Sequence, residues 1–192
     1  MRVFLAGASG VLGIRLVPLL VGAGHEVAGL TRSPASAVRI ASFGATPVVC
    51  DVFDADALIA EVSRFAPDVV MHQLTDLPDE LDQVPAYVAR NNRMRTEGTR
   101  HLLAAAGASR ILAQSIAWSP PGSGDAVAVH ERLVLDAGGV VIRYGQLYGP
   151  GTYYRDDRPA PPRIHVDDAA RSTLALLDAP SGIVVLADEV AA

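Results

Sequence analysis

The chain has 192 residues, half of them apolar, and a formal net charge of −5. That length can bury a substantial core as one domain, and the composition excludes a disordered chain. The acidic balance argues against a phosphate-backbone binder, so no nucleic-acid partner is expected. Apolar runs such as 16–21 are too short to cross a bilayer, so no membrane partner is expected. Met1 leads straight into Arg2-Val3-Phe4-Leu5-Ala6, which reads as a strand and not as a secretory leader, and a cytoplasmic location is expected. A single cysteine, Cys50, excludes an internal disulfide and a cysteine-based zinc cluster. No His/Asp/Glu spacing argues for a metal site. All 16 basic residues are arginine. With no lysine, this chain cannot supply a Schiff base, a lysine general base or a P-loop lysine.

Short apolar runs alternate with amphipathic stretches. Arg2–Ala6 reads as a buried strand. Val11–Val21 has helical spacing and stops at Gly22-Ala23-Gly24. Pro18 within it predicts a kink or a helix start near that point. Glu26–Leu30 is a second strand, followed by a helix over Pro34–Phe43 with Ser33 as N-cap. Pro47–Cys50 is a third strand, Ala55–Phe65 a helix capped by Asp54, and Asp68–His72 a fourth strand. Pro85–Ala106 reads as one long helix. Ser109–Ser115 is a fifth strand, Asp125–Ala137 a helix and Val140–Tyr144 a sixth strand. Gly149–Arg163 is rich in Pro, Gly, Tyr and charge and reads as an irregular loop. A helix over Asp167–Leu177 and a strand over Ile183–Ala187 complete the pattern. This alternation predicts a single α/β domain over 1–192. Its doubly wound, Rossmann-like parallel sheet has about seven strands, with helices on both faces.

Gly7-Ala8-Ser9-Gly10-Val11-Leu12-Gly13 lies directly between the first strand and the first helix. Glycine at 7 permits a tight turn. Glycine at 10 lets the backbone approach a pyrophosphate, and glycine at 13 lets helix and strand pack closely. The free N–H groups of this segment and the helix dipole then face the phosphates. Ser9, Val11 and Leu12 belong to the same cradle.

The end of the second strand selects the dinucleotide. A carboxylate there holds a ribose 2′-hydroxyl and repels a 2′-phosphate. This chain has Leu30-Thr31-Arg32-Ser33 instead. Arg32 offers a planar, permanently charged fork suited to a phosphate, and the hydroxyls of Thr31 and Ser33 add donors. NADP(H) is therefore expected in preference to NAD(H). Asp51, after the third strand, is placed to accept from an adenine amino group or to cap its own turn. Val52 follows it.

Gly7–Gly13, Asp51-Val52, Val69-Val70-Met71-His72, Thr96-Glu97-Gly98-Thr99, Arg143 with Tyr148-Gly149-Pro150-Gly151, and Ile164-His165-Val166-Asp167-Asp168 occur in a characteristic order. In this the chain resembles the extended short-chain dehydrogenases/reductases, the NAD-dependent epimerase/dehydratase superfamily, over nearly its whole length. The resemblance implies a small-molecule substrate and cofactor contacts from His72, Gln73 and Leu74. It also implies that Ser115 orients a substrate oxygen, and that a homodimer forms through helices 85–106 and 125–137.

The family's usual Tyr-x-x-x-Lys pair is missing. Only Tyr154…Arg158 has a cation four residues after a tyrosine. Tyr144, Tyr148 or a water held near Asn92 are the candidate replacement acids, and His72 is a further acid–base candidate. Asp167 reads as the cap of the helix that follows. The expected function is an atypical NADP(H)-binding reductase or epimerase acting on a small carbonyl or hydroxyl compound. The alternatives are a redox-silent NADP(H) sensor or scaffold, and a non-redox cyclase or isomerase using the same pocket.

Overall fold

The structure is a computed structural model that describes residues 1–188. Strands β1 (Arg2–Ala6), β2 (Glu26–Thr31), β3 (Thr46–Val49), β4 (Val69–His72), β5 (Arg110–Ile116), β6 (Val140–Tyr144) and β9 (Gly182–Leu186) form one parallel sheet in the order β3-β2-β1-β4-β5-β6-β9. Helices α1 (Gly13–Gly22), α2 (Pro34–Ser42), α3 (Ala55–Phe65), α6 (Gly124–Asp136) and α7 (Val166–Leu174) connect them, with a broken helix between β4 and β5. Strand order reverses at β1/β4. The carboxyl ends of these two strands therefore flank a crevice, the usual ligand position in an open α/β sheet.

Both faces of the sheet are covered, which is why the strands read as continuous apolar runs. Alternate residues of β1 serve opposite cores. Val3 and Leu5 pack with Leu16, Val17 and Leu20 of α1, Ile40 of α2 and Val166, Ala169 and Ala170 of α7. Phe4 and Ala6 pack with Leu58 and Val62 of α3 and with Met94 and Leu102. A smaller cluster joins Ile111, Ala113 and Val141 to Val134 of α6. Strand β9 leaves one face open, with Ile183 43% and Val185 57% exposed.

Three local readings are corrected. Helix α1 starts at Gly13, and Pro18 lies within it with its ring exposed. The stretch 85–106 is not one α-helix. It comprises a 3₁₀ turn (Leu81–Gln83), α4 (Val84–Arg93), a π-helical turn (Met94–Gly98) and α5 (Thr99–Ala106). The Thr96 hydroxyl donates to the Asn92 carbonyl at 3.0 Å and the Thr99 hydroxyl lies 2.6 Å from the Arg95 carbonyl. Such back-bonding competes with the helical ladder, and here the ladder widens by one residue. Finally, two three-residue strands, β7 (Gln146–Tyr148) and β8 (Arg163–His165), pair in parallel and bracket the segment read as a loop. They are too short and too evenly half-buried to show a period.

The widened turn places Thr99 between two buried histidines. The Nδ1 of His72 accepts from the Leu74 N–H at 3.3 Å, so its Nε2–H points to Thr99 Oγ1 at 3.1 Å. That hydroxyl lies 2.7 Å from His130 Nδ1, and His130 Nε2 is 2.9 Å from the Gln114 carbonyl. The rings meet edge to face at 5.3 Å. Burial, and secondarily the neighbouring His130, holds His72 well below the ordinary histidine range. Burial also lowers His130, against the opposing pull of the Gln114 carbonyl. Burial thus disfavours the charged form of both rings.

The histidine pair makes stability pH-dependent. The unfolded chain binds protons at these histidines that the fold refuses, so stability rises with pH. Their contribution is complete above the ordinary pKa of about 6.5. It falls below that by about 1.4 kcal/mol per pH unit for each ring until the folded-state pKa is reached. Urea midpoints at pH 7.5 and 5.5 check this, and equal midpoints would refute it. A second test concerns Gly13, where a Cβ would stand 2.1 Å from the Gly7 carbonyl oxygen and 2.7 Å from Ala8 Cα. Gly13→Ala should lower unfolding free energy by at least about 2 kcal/mol, because backbone cannot yield as a side chain can. An unchanged denaturation curve would contradict the contact.

Candidate functional site

The β1–α1 turn is built from three glycines with different duties. Gly7 has φ +94°, and a Cβ there would lie 2.6 Å from the Gln73 carbonyl oxygen at the end of β4. Only glycine fits that corner. The Gly10 N–H donates to the Gly7 carbonyl at 3.0 Å and the Ala8 N–H to the Leu30 carbonyl at 3.2 Å. The N–H groups of Ser9, Val11 and Leu12 have no acceptor among the described residues. Leu12, at the N-cap, brings no side-chain cap to α1. Unpaired donors at the positive end of a helix form a cradle for an anionic group.

The crevice above the turn is lined by Gly7, Ser9 and Gly10, by Leu30, Thr31 and Arg32, by Cys50 and Val52, and by Gln73, Leu74, Thr75 and Met94. Most of the residues expected at the cofactor thus meet in one place. Val11, Leu12 and Gly13 shape it from the helix side. Thr31 Oγ1 joins Ser9 Oγ at 3.1 Å and accepts from the Ser33 N–H at 3.2 Å, locking the tip of β2 to the glycine turn. Ser33 caps α2 by accepting from the Ser36 N–H. Asp51 Oδ1 accepts from the Phe53 N–H at 2.9 Å, closing its own turn beside the crevice. Cys50 and Met94 were not anticipated. Met94 opens the π turn that follows α4.

His72 is corrected: its ring lies in the core against Thr99, 1% exposed, and does not reach the crevice. Gln73 takes the opposite face of β4. Its Nε2 is 3.4 Å from the Tyr144 hydroxyl, and its Oε1 is buried without a partner among the described residues.

The expected proton donors are all engaged elsewhere. Tyr144 is 3% exposed, and its hydroxyl lies 2.6 Å from Thr173 Oγ1, whose own hydrogen goes to the Ala169 carbonyl at 2.7 Å. Tyr144 therefore donates inward. Burial pushes its phenol up to about 12, against the lowering effect of the Thr173 and Gln73 contacts. The Tyr148 hydroxyl donates to Asp188 Oδ2 at 3.0 Å, and burial followed by that carboxylate raises its pKa. Asn92 Nδ2 donates to the Gly122 carbonyl at 3.0 Å and so holds a loop instead of a relay water. Tyr154 donates to Gln146 Oε1 at 3.2 Å, while Arg158 stacks over Tyr148, so the Tyr154…Arg158 spacing forms no pair.

Ser115 is 8% exposed at the end of β5, but its hydroxyl donates to Glu131 Oε1 at 2.6 Å. Arg143 grips the same carboxylate through two contacts of 2.9 and 2.6 Å. Burial alone would raise Glu131, yet the hydrogen bonds from Arg143 and Ser115 hold it below the usual carboxylate range. It stays charged and keeps the serine's hydrogen. Ser115 can accept from a substrate hydroxyl but does not offer a proton to a carbonyl.

The segment between β7 and β8 is tied to α1 and to the chain beyond β4. Arg15 donates to the Pro150 carbonyl and to Asp167 Oδ1 at 2.5 and 2.6 Å. The Tyr153 hydroxyl reaches the Pro78 carbonyl beyond β4 at 2.5 Å. The cap of α7 is also corrected: the His165 ring accepts from the Asp167 N–H at 3.3 Å, while the Asp167 carboxylate is taken by Arg15.

This architecture agrees with comparisons to known proteins. The NAD dependent epimerase/dehydratase family matches residues 3–125. A 3-diazoavenalumate denitrifying reductase from a Streptomyces species is 37% identical over 224 residues, covering 93% of this chain and 72% of that protein. The matched span is longer than this chain, so the relative carries segments absent here. A 4-hydroxy-2-methyl-3-oxo-4-farnesyl-3,4-dihydroquinoline-1-oxide ketoreductase from Stigmatella aurantiaca is 34% identical over 120 residues, covering 54% of this chain and 35% of the relative. The UDP-glucose 4-epimerase of Thermus thermophilus, crystallised with NAD, superposes with a TM-score of 0.80 at 18% identity. The match covers 97% of this chain and 78% of the epimerase, a likeness of fold. The chain belongs to the NAD dependent epimerase/dehydratase family.

Proposed function

We propose that this chain is an NADP(H)-dependent reductase whose substrate accepts hydride without needing a proton from the protein. The cofactor choice rests on one observation. The tip of β2 carries Arg32 and no carboxylate, and Arg32 fronts the crevice beside the glycine turn. The unpaired N–H groups of Ser9, Val11 and Leu12 would hold the diphosphate, and Arg32 a 2′-phosphate. The dinucleotide, when bound, supplies the hydride.

Substrate class follows from the engaged donors. A carbonyl becomes an alkoxide on reduction and needs a proton, which general acid catalysis normally speeds by about 10²–10⁴-fold. Among the described residues, the candidate acids Tyr144, Tyr148 and Ser115 already donate elsewhere. The Streptomyces relative is named for reducing a diazo compound with loss of nitrogen. An aryl diazonium ion fits a site of this kind. Hydride forms the new C–H bond, the C–N bond breaks, and its electron pair leaves with dinitrogen. No proton is consumed.

Titration of the purified protein by nucleotide fluorescence should show NADPH binding about tenfold or more tighter than NADH, with Arg32→Ala removing most of the difference. Turnover should then be measured with NADPH deuterated at C4, against an aryl diazonium salt and an aromatic aldehyde. The expected result is saturable oxidation with the diazonium salt, deuterium at the arene carbon, and much slower reaction with the aldehyde. Faster aldehyde reduction would overturn the substrate class. Tight binding with no turnover of either would replace the reductase with a redox-silent sensor.

A further inference from the structure

Beside the dinucleotide crevice lies a second, polar depression of about 440 Å³ between the tip of β2 and the start of α4. Arg32 fronts both. Asp76 stands in the wall between them, its side chain only 9% exposed. Its backbone N–H donates to Asn91 Oδ1 at 3.1 Å, which fixes the residue from below. Arg90 grips the carboxylate fork to fork, with Nε at 3.1 Å from Oδ2 and Nη2 at 3.0 Å from Oδ1. The Arg90 guanidinium rests on the Tyr87 ring, 4.5 Å from its centroid.

Arg32 approaches the same carboxylate but stops short, with Nη2 at 3.8 Å from Oδ1. That distance carries charge attraction and no hydrogen bond. Arg32 makes no hydrogen bond to any described residue, and its side chain is 53% exposed. A guanidinium has five N–H donors in a rigid fork. In Arg32 they are held at the crevice mouth and left unused, while Arg90 holds the nearest acid in a fork and balances its charge.

We propose that Arg90 is a positioning residue for dinucleotide selection: by engaging Asp76 it keeps that carboxylate from capturing Arg32, and so leaves Arg32 free for a 2′-phosphate. The proposal rests on the reading of Arg32 as the phosphate ligand. Without Arg90, Asp76 would present an unbalanced charge and an open bidentate edge to Arg32, the other cation that lines this depression. Arg32 would close the remaining gap and donate its fork to Asp76. The subsite would then meet the phosphate with a neutralised pair in place of a free cation.

The test is a set of NADPH and NADH titrations followed by nucleotide fluorescence, with thermal melts to confirm folding. Arg90→Gln should weaken NADPH about three- to fivefold, the size of a half-exposed charge pair, and leave NADH essentially unchanged. Asp76→Asn, which keeps the shape and removes the charge, should bind NADPH at least as tightly as the parent. The decisive species is Arg90→Gln combined with Asp76→Asn. With no carboxylate left to capture Arg32, NADPH affinity should return to the parent value. Arg90→Lys keeps one contact to Asp76 and should fall between, and it substitutes for Arg90→Gln if that variant does not fold.

An unchanged NADPH/NADH ratio in the Arg90 variants overturns the proposal. So does a loss that Asp76→Asn fails to restore, or weaker NADPH binding in Asp76→Asn alone. Arg32→Ala separates the two levels. If it alters the ratio while the Arg90 variants do not, only the positioning role falls. If it leaves the ratio untouched, Arg32 is not the phosphate ligand and both readings fall.

Discussion

The structure depends on one close approach, between the start of α1 and the turn that leaves β1. Gly13 sits so near the Gly7 carbonyl that no side chain fits between them. That contact sets how α1 lies on the sheet and points its uncapped N-terminus across the ends of β1 and β4. Helix, sheet and cradle are therefore one constraint. Gly7 is held from the other side by the Gln73 backbone, so the turn is gripped between the start of α1 and the end of β4. A site made of backbone donors needs this rigidity, because it has no side chains with which to adjust.

Around that rigid centre the chemistry is distributed among arginines. Each of the arginines near the site has a distinct load. Arg15 ties α1 to the segment between β7 and β8, Arg143 keeps Glu131 charged, and Arg90 covers Asp76. Arg32 carries no hydrogen bond to any described residue. Guanidinium suits these tasks because its fork holds a carboxylate in a fixed plane, where an ammonium would swivel. What lysine would add, an amine able to lose its proton, has no counterpart here.

The parallel sheet and the glycine cradle were legible because their signals are local. A buried strand is an apolar run, and a phosphate turn is three glycines at set spacing. The tip of β2 was legible for the same reason. The proton donors were not, because the fate of a hydroxyl depends on partners far away in sequence. Tyr144 meets Thr173, Tyr148 meets Asp188 and Ser115 meets Glu131. Family position suggests that such groups face a substrate, whereas tertiary hydrogen bonds decide otherwise. His72 was misplaced by a single step of strand alternation, since its side chain and that of Gln73 leave β4 on opposite faces. The break in the long helix escaped notice because threonines in a helical pattern look only mildly unfavourable until their hydroxyls find carbonyls one turn back.

That break also gives the segment a counting rule. A π turn holds one residue more than the α turn it replaces, so every side chain beyond Met94–Gly98 is rotated relative to those before it. Asn91 and Arg90 hold Asp76, past the end of β4, from one side of this offset, and Thr99 addresses the two imidazoles from the other. The two groups are in phase with their targets only because of the extra residue. Over evolutionary time this stretch should tolerate substitutions at its exposed positions far more readily than the gain or loss of a single codon.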